Sequence, residues 1–124
     1  MNVNNNVVLI GESGSGKSWL INNLLYKNVM KYQGSNYNVH NTVFYQNTAI
    51  ETFVKFMESN LEVKRKGSIG AEFGKKVIFF IDDIAMCRKD RFGEQHVLEV
   101  LRQYFDHHQW YDVHYLEKKN VDDI

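Results

Sequence analysis

Apolar residues in this chain fall either into short unbroken runs or into stripes at helical spacing. VVLI at 7–10 is an all-apolar run that ends on Gly11, and a run of that length closed by a turn residue predicts a strand covered on both faces. From Lys17 to about Tyr32, Leu20, Ile21, Leu24, Leu25 and Val29 recur along one helix face. YNVHNTVFYQ at 37–46 is β-branched and aromatic and predicts a second strand. Asn47 or Thr48 can then cap a helix with Glu51 in its first turn and the stripe Ile50, Phe53, Phe56, Met57 and Leu61. VKRKGSIGAEFGKK at 63–76 breaks the pattern with glycines and basic residues and predicts a solvated loop or hairpin. VIFFI at 77–81 is the strongest buried-strand pattern, closed by Asp82 and Asp83. Val97, Leu98, Leu101, Tyr104 and Phe105 mark a further helix face, and QWYDVHYL at 109–116 returns to a β-like composition. Strands alternating with helices predict an α/β fold with a largely parallel sheet.

The chain has 124 residues, enough for one core and short of two. Basic and acidic residues are equal at 15 each, so no net field draws it to nucleic acid or to an anionic membrane. No apolar run approaches the roughly 20 residues that span a bilayer. The start, MNVNNNVVLIGESG, lacks the basic flank and long apolar core of a secretory leader. The single cysteine, Cys87, has no partner for an internal disulfide. A soluble protein of a reducing compartment is expected. Proline is absent, so Gly and Asn must shape the loops.

The chemistry concentrates at GESGSGKS. Gly11, Gly16, Lys17 and Ser18 satisfy G-x-x-x-x-G-K-[ST] between a predicted strand and a predicted helix, with Glu12, Ser13, Gly14 and Ser15 inside the turn. Glycines let the backbone take positive φ and bring N–H groups against phosphate oxygens, while the helix start aims unpaired amides at the same anion. Lys17 would reach the β and γ phosphates of a nucleotide and Ser18 would offer its hydroxyl to Mg²⁺. Asp82, at the end of the buried run, stands where P-loop NTPases hold that metal, and Asp83 where a residue polarises the attacking water. An aspartate there is one methylene shorter than the glutamate common in AAA+ ATPases, which leaves a module that holds nucleotide without turning it over as an open alternative. Asp106, His107, His108, Asp112 and His114 lie close in sequence but without an established ligand spacing, so a metal site is not expected there. Trp19 is expected to pack under the helix rather than to stack on a base, KRK at 64–66 to be a solvated face, and Cys87 to be a small loop residue.

Three stretches, GESGSGKSWLINNLL, KRKGSIGAEFGKKVIFFIDDIAM and FGEQHVLEVLRQYFDHHQWYD, resemble dynein heavy chains, specifically the third AAA+ unit of the motor ring. The resemblance implies a P-loop NTPase of AAA+ type, a three-layer sandwich with a mainly parallel sheet. On this chain Gly11 to Ser18 become the Walker A loop, Lys17 and Asp83 the catalytic residues, and Ser18 and Asp82 the metal ligands. Residues 1–124 become a partial core running from Walker A to just before sensor 1, with the lid absent. It implies ATP or ADP with Mg²⁺ as ligands and neighbouring AAA+ units of the same heavy chain as partners. It further implies microtubules as the track of the full motor, a place in the cytoplasm or on the cytoskeleton of a cilium, and no nucleic-acid or membrane partner. The departures cluster where the family has proline: GAEFGKK for GPPLGKK, AMC for a Met-Pro and EQHV for a Gln-Pro-Pro. They loosen loops without touching the phosphate residues.

Hydrolysis by the isolated chain is expected to be near background, since an arginine finger comes from a ring neighbour. A free-standing small P-loop enzyme such as a nucleotide kinase is the rival reading; it would need arginines over the transferred phosphate, and only Arg65, Arg88, Arg91 and Arg102 are available. The implied strand order puts sensor 1 between VVLI and VIFFI, so both runs are expected to lack a neighbour and the 124 residues alone to be marginally stable.

Overall fold

Helical stripes and β-rich runs become elements largely where expected. The computed structural model describes residues 6–31, 36–112 and 114–124. In chain order the elements are α1 (Lys17–Lys31), β1 (Tyr37–Val43), α2 (Ile50–Ser59), β2 (Glu62–Arg65), β3 (Ser68–Gly70), β4 (Lys76–Asp82), a 3₁₀ turn (Ile84–Met86), α3 (His96–His107), β5 (Gln109–Tyr111) and β6 (Lys118–Asp122). The expected helix end at Tyr32, the side chain of Val29, and Val113 within the β-like stretch lie outside the described residues.

The described strands form two sheets, one a parallel pair and the other mixed, which corrects the expectation of a single mainly parallel sheet. β1 and β4 run parallel, from Tyr37 opposite Lys76 to Val43 opposite Asp82. A second sheet has the order β2-β3-β6-β5, with β2–β3 antiparallel, β3–β6 parallel and β5–β6 antiparallel. Connection length decides this, because parallel neighbours need a crossover of about a dozen residues or more. Only Lys66 and Gly67, the latter at φ +74, join β2 to β3, so the basic stretch closes as a hairpin. β6 was not anticipated, and its sequence KKNVD hides why: Val121 is its one buried residue. At Gly70 the sheet is tight, since a Cβ there would meet the Asp122 carbonyl oxygen at 2.8 Å.

The strand expected at 7–10 is not formed. Val7 and Ile10 are 77% and 93% exposed, and β4 has β1 as its only ladder partner among the described residues. An apolar run becomes a strand only where a neighbour takes its backbone groups, and no described strand lies beside this one. The apolar face of α1 is correspondingly open, with Leu20 and Leu24 exposed, and Asn41 Nδ2 donating to Asn22 Oδ1 at 3.2 Å links α1 to β1.

The core sits between α2, α3 and the four-stranded sheet. Phe53, Val54 and Met57 of α2 and Val97, Leu101 and Tyr104 of α3 are buried with Phe44, Ile69, Cys87, Trp110 and Val121. Phe44 meets Phe53 edge-on at 5.0 Å between ring centroids, a favoured aromatic geometry. Cys87 is the loop residue expected, after the 3₁₀ turn, and its side chain is buried in this core. The α2 cap also differs: Ala49 occupies the cap position without a side-chain bond, because the Thr48 hydroxyl accepts from the Tyr45 N–H at 2.8 Å instead.

One polar cluster ties α2 to the β5–β6 hairpin. Lys119 Nζ donates to both carboxylate oxygens of Glu58 at 2.9 Å and to Asp112 Oδ2 at 2.7 Å, while Trp110 Nε1 donates to Glu58 Oε1 at 3.1 Å. Asp112 Oδ1 accepts the amides of His114 and Tyr115, both at 2.8 Å. The Lys119 ammonium, with the Tyr115 and His114 amides, holds the Asp112 carboxyl well below the usual carboxylate range. Burial opposes the Lys119 charge, but its bonds to Asp112 and Glu58 outweigh that and raise its pKa. Asp112 therefore contributes stability that is fully present above the ordinary carboxylate pKa near ~4 and is lost as pH falls toward its depressed value. Lys119 contributes below its ordinary pKa near ~10.4 and loses that contribution as pH rises through the raised one. Lys119→Met should lower stability by about 1–2 kcal/mol and flatten the fall in stability between about pH 5 and about pH 3, around the ordinary carboxylate pKa, as read by urea melts across that range.

Candidate functional site

The glycine turn is organised around one ammonium. Lys17, the first residue of α1, folds back so that its Nζ donates to the Gly11 carbonyl at 2.8 Å, the Glu12 carbonyl at 2.5 Å and Ser15 Oγ at 3.1 Å. The Lys17 side chain lies along Gly11, where a Cβ would stand in van der Waals contact with Lys17 Cδ at 3.4 Å. Gly14 and Gly16 take φ of +80 and +79, with nothing within 4 Å of the positions a Cβ would occupy, so the loop is open where its backbone turns. The first α1 bond runs from the Leu20 N–H to the Gly16 carbonyl at 2.9 Å. Amides ahead of Leu20 therefore stand at a helix N-terminus without intrahelical acceptors, an arrangement that attracts anions.

Ser15, Gly16 and Lys17 line a cavity of about 340 Å³ with Leu9, Ile10, Trp19 and Leu20. Trp19 does not pack under the helix: its side chain is 70% exposed on the wall of this cavity. Ser18 follows Lys17 in the first turn of α1 and is half-buried. Gly11 to Ser18 thus form one loop and helix start, open at Gly14 and Gly16 and with the Lys17 ammonium folded back onto its oxygens.

Asp82 and Asp83 form a second, separate group. The Asp82 carbonyl accepts from the Phe44 N–H at 3.0 Å and its Oδ1 accepts from the Asp83 N–H at 2.9 Å. Asp83 sits in the left-handed region at φ 53 and ψ 40, and its carbonyl accepts from the Met86 N–H at 2.9 Å to close the 3₁₀ turn. Neither carboxylate lines the cavity beside the glycine loop. The run at 7–10 that leads into the loop joins no ladder among the described residues. Ser18 and Asp82 are nonetheless both oxygen donors, the kind of ligand Mg²⁺ takes.

The other sequence clusters resolve into structural roles. Asp112 anchors the turn described above, His107 ends α3, and His108 takes φ 52 at the helix end; the 106–114 stretch holds no group of ligand atoms close together among the described residues. The cluster with metal-ligating atoms close together among the described residues is Asp90, Glu94 and His96. There Asp90 Oδ1 accepts the Phe92 and Glu94 amides at 2.7 and 2.9 Å, and Asp90 Oδ2 lies 3.3 Å from His96 Nε2. It borders a groove of about 550 Å³ between residues 46–51 and 87–97. Sequence reading missed this cluster and the Glu58–Lys119 bridge because their partners carry no motif. No helix among the described residues is long and apolar enough to cross a membrane.

The family model for the P-loop containing dynein motor region matches residues 1–124. Dynein axonemal heavy chain 1 of Homo sapiens is 38% identical over 106 residues, covering 86% of this chain and 2% of that protein. Dynein axonemal heavy chain 6 of Homo sapiens is 35% identical over 122 residues, 98% of this chain and 3% of that protein. Dynein axonemal heavy chain 3 of Mus musculus is 33% identical over 121 residues, with 95% and 3% covered. The chain therefore spans a small fraction of the length of these relatives, and it belongs to the P-loop containing dynein motor region family.

Gly16→Ala places a Cβ on a left-handed backbone without meeting any neighbour, so its cost is confined to the loop conformation. It should leave far-UV circular dichroism unchanged and weaken Mg·ATP binding by roughly 5- to 30-fold in a calorimetric titration, the equivalent of about 1–2 kcal/mol of left-handed strain.

Proposed function

We propose that Gly11, Glu12, Ser13, Gly14, Ser15, Gly16, Lys17 and Ser18 cradle the phosphates of ATP or ADP, and that this chain is the nucleotide-binding core of an AAA+ unit in a dynein heavy chain. The observation that carries the reading is the Lys17 ammonium, held among three loop oxygens directly above a helix start. An anion that enters the cradle meets that charge together with the unpaired amides of α1. Ser18 and Asp82 are the ligands we assign to Mg²⁺, which when bound neutralises phosphate charge. Asp83 is the residue we assign to orienting water.

The unit is the third of the motor ring on the strength of the sequence stretches it shares with that unit, and residues 1–124 are the part of a three-layer core that runs from Walker A to just before sensor 1. Its partners are then the neighbouring units of the same heavy chain and, through the whole motor, microtubules. The axonemal names of the relatives support a cytoskeletal place in a cilium or flagellum. Family membership also weighs against the rival of a free-standing nucleotide kinase.

Within the motor the unit is regulatory, and the isolated chain binds nucleotide without significant turnover. This second element rests on the two aspartates, which stand at the end of β4 and outside the cavity that Lys17 lines. Arginine fingers contribute about 10³ to 10⁵ in rate in related NTPases, and in the ring they come from a neighbour.

Lys17→Ala should reduce Mg·ATP affinity at least tenfold in a calorimetric titration (~1.4 kcal/mol or more) while the variant keeps the wild-type melt. Phosphate release by the wild-type chain should stay near background. Unchanged affinity in Lys17→Ala would contradict the cradle, and sustained turnover on the order of 1 s⁻¹ that Asp83→Asn abolishes would contradict the binding-without-turnover reading.

A further inference from the structure

The cavity at the glycine loop has two chemically different ends. Ser15 and Gly16 present a hydroxyl and an amide and Lys17 its positive charge, the three N–H donors of its ammonium being held by loop oxygens, whereas Leu9, Ile10, Trp19 and Leu20 form an apolar wall. Inorganic phosphate would use the first end alone and leave the second in water. A ligand that carries a flat aromatic group on a phosphate chain would use both. The volume, about 340 Å³, lies within the ~300–1,000 Å³ of small-molecule sites.

We propose that the Trp19 indole is the platform on which the base of a bound nucleotide stacks, so that the site favours purine nucleotides over pyrimidine nucleotides and over base-free polyphosphates. The proposal rests on the nucleotide reading of the loop and extends it to the part of the ligand that is not phosphate. Trp19 is two residues beyond Lys17, about 3 Å along the helix axis, and both line the same cavity because the Lys17 side chain folds back over Gly11. An indole offers a large rigid face at little entropic cost, and stacking on it rewards ring area regardless of the hydrogen-bonding edge. The apolar end matches that mode, since its four side chains bear no group besides the indole N–H that could read a base edge. The second tryptophan cannot serve: Trp110 is 1% exposed and donates to Glu58. That contrast is useful experimentally, because Trp110 emission reports the core and Trp19 emission reports the cavity.

The test compares Mg·ATP, Mg·UTP and magnesium tripolyphosphate on the 124-residue chain and on Trp19→Ala and Trp19→Phe, by calorimetry and tryptophan fluorescence. Wild type should bind ATP more tightly than UTP and UTP more tightly than tripolyphosphate, and ATP should quench emission in wild type but not in Trp19→Phe. Trp19→Ala should lose roughly 5- to 150-fold in ATP affinity and keep its tripolyphosphate affinity, while Trp19→Phe recovers part of the loss. An unaltered ATP affinity in Trp19→Ala, or an equal loss for ATP and tripolyphosphate, would overturn the stacking role while leaving the phosphate cradle intact. Failure of wild type to bind either ligand would overturn the cradle and the stacking role together.

Discussion

A β-strand keeps its place only when a neighbour takes its amides and carbonyls, and that requirement divides this chain into two regimes. From Tyr37 onward every described strand has a ladder partner, and the paired layers give α2 and α3 a surface on which to bury Phe53, Met57, Leu101 and Tyr104. Residues 7–10 are all apolar but have no ladder partner among the described residues, and they stay exposed. The glycine loop hangs from that unpaired run. Its shape is therefore set from within, by Lys17 on one side and the start of α1 on the other.

Two ammonium groups solve the same physical problem in these two regimes. Lys119 is held among carboxylate oxygens of Glu58 and Asp112, where partial burial strengthens the attraction and each charge would be costly without the other. Lys17 is held among two carbonyls and a hydroxyl, neutral acceptors that leave its charge uncompensated. The first arrangement locks the β5–β6 hairpin onto α2. The second keeps a positive charge available beside a helix N-terminus, so the loop retains its capacity for an anion.

Most helix positions were legible because Ile50, Phe53 and Met57, and Val97, Leu101 and Tyr104, repeat at a spacing that only a helix satisfies. β4 was legible from VIFFI, but the same logic failed for VVLI, since a run of apolar residues shows that a strand could be buried and not that a neighbour exists. β6 was invisible because one buried residue, Val121, carries no periodicity. In the glycine loop the positive φ of Gly14 and Gly16 was legible from the motif. The separation of Asp82 and Asp83 from the loop cavity was not legible, because motif reading assumes the sheet that joins them. Trp19 was misjudged for a related reason: a helix next to an unfilled part of a sheet has no underside for an indole to occupy.

Backbone amide shifts on adding Mg·ADP to the isotopically labelled chain test the central claim most directly, because they locate the ligand without any substitution. The account predicts that the largest changes fall on the amides of residues 11–18, with α3 and the β5–β6 hairpin unmoved. Changes centred instead on the groove between residues 46–51 and 87–97, or spread evenly along the chain, would contradict it.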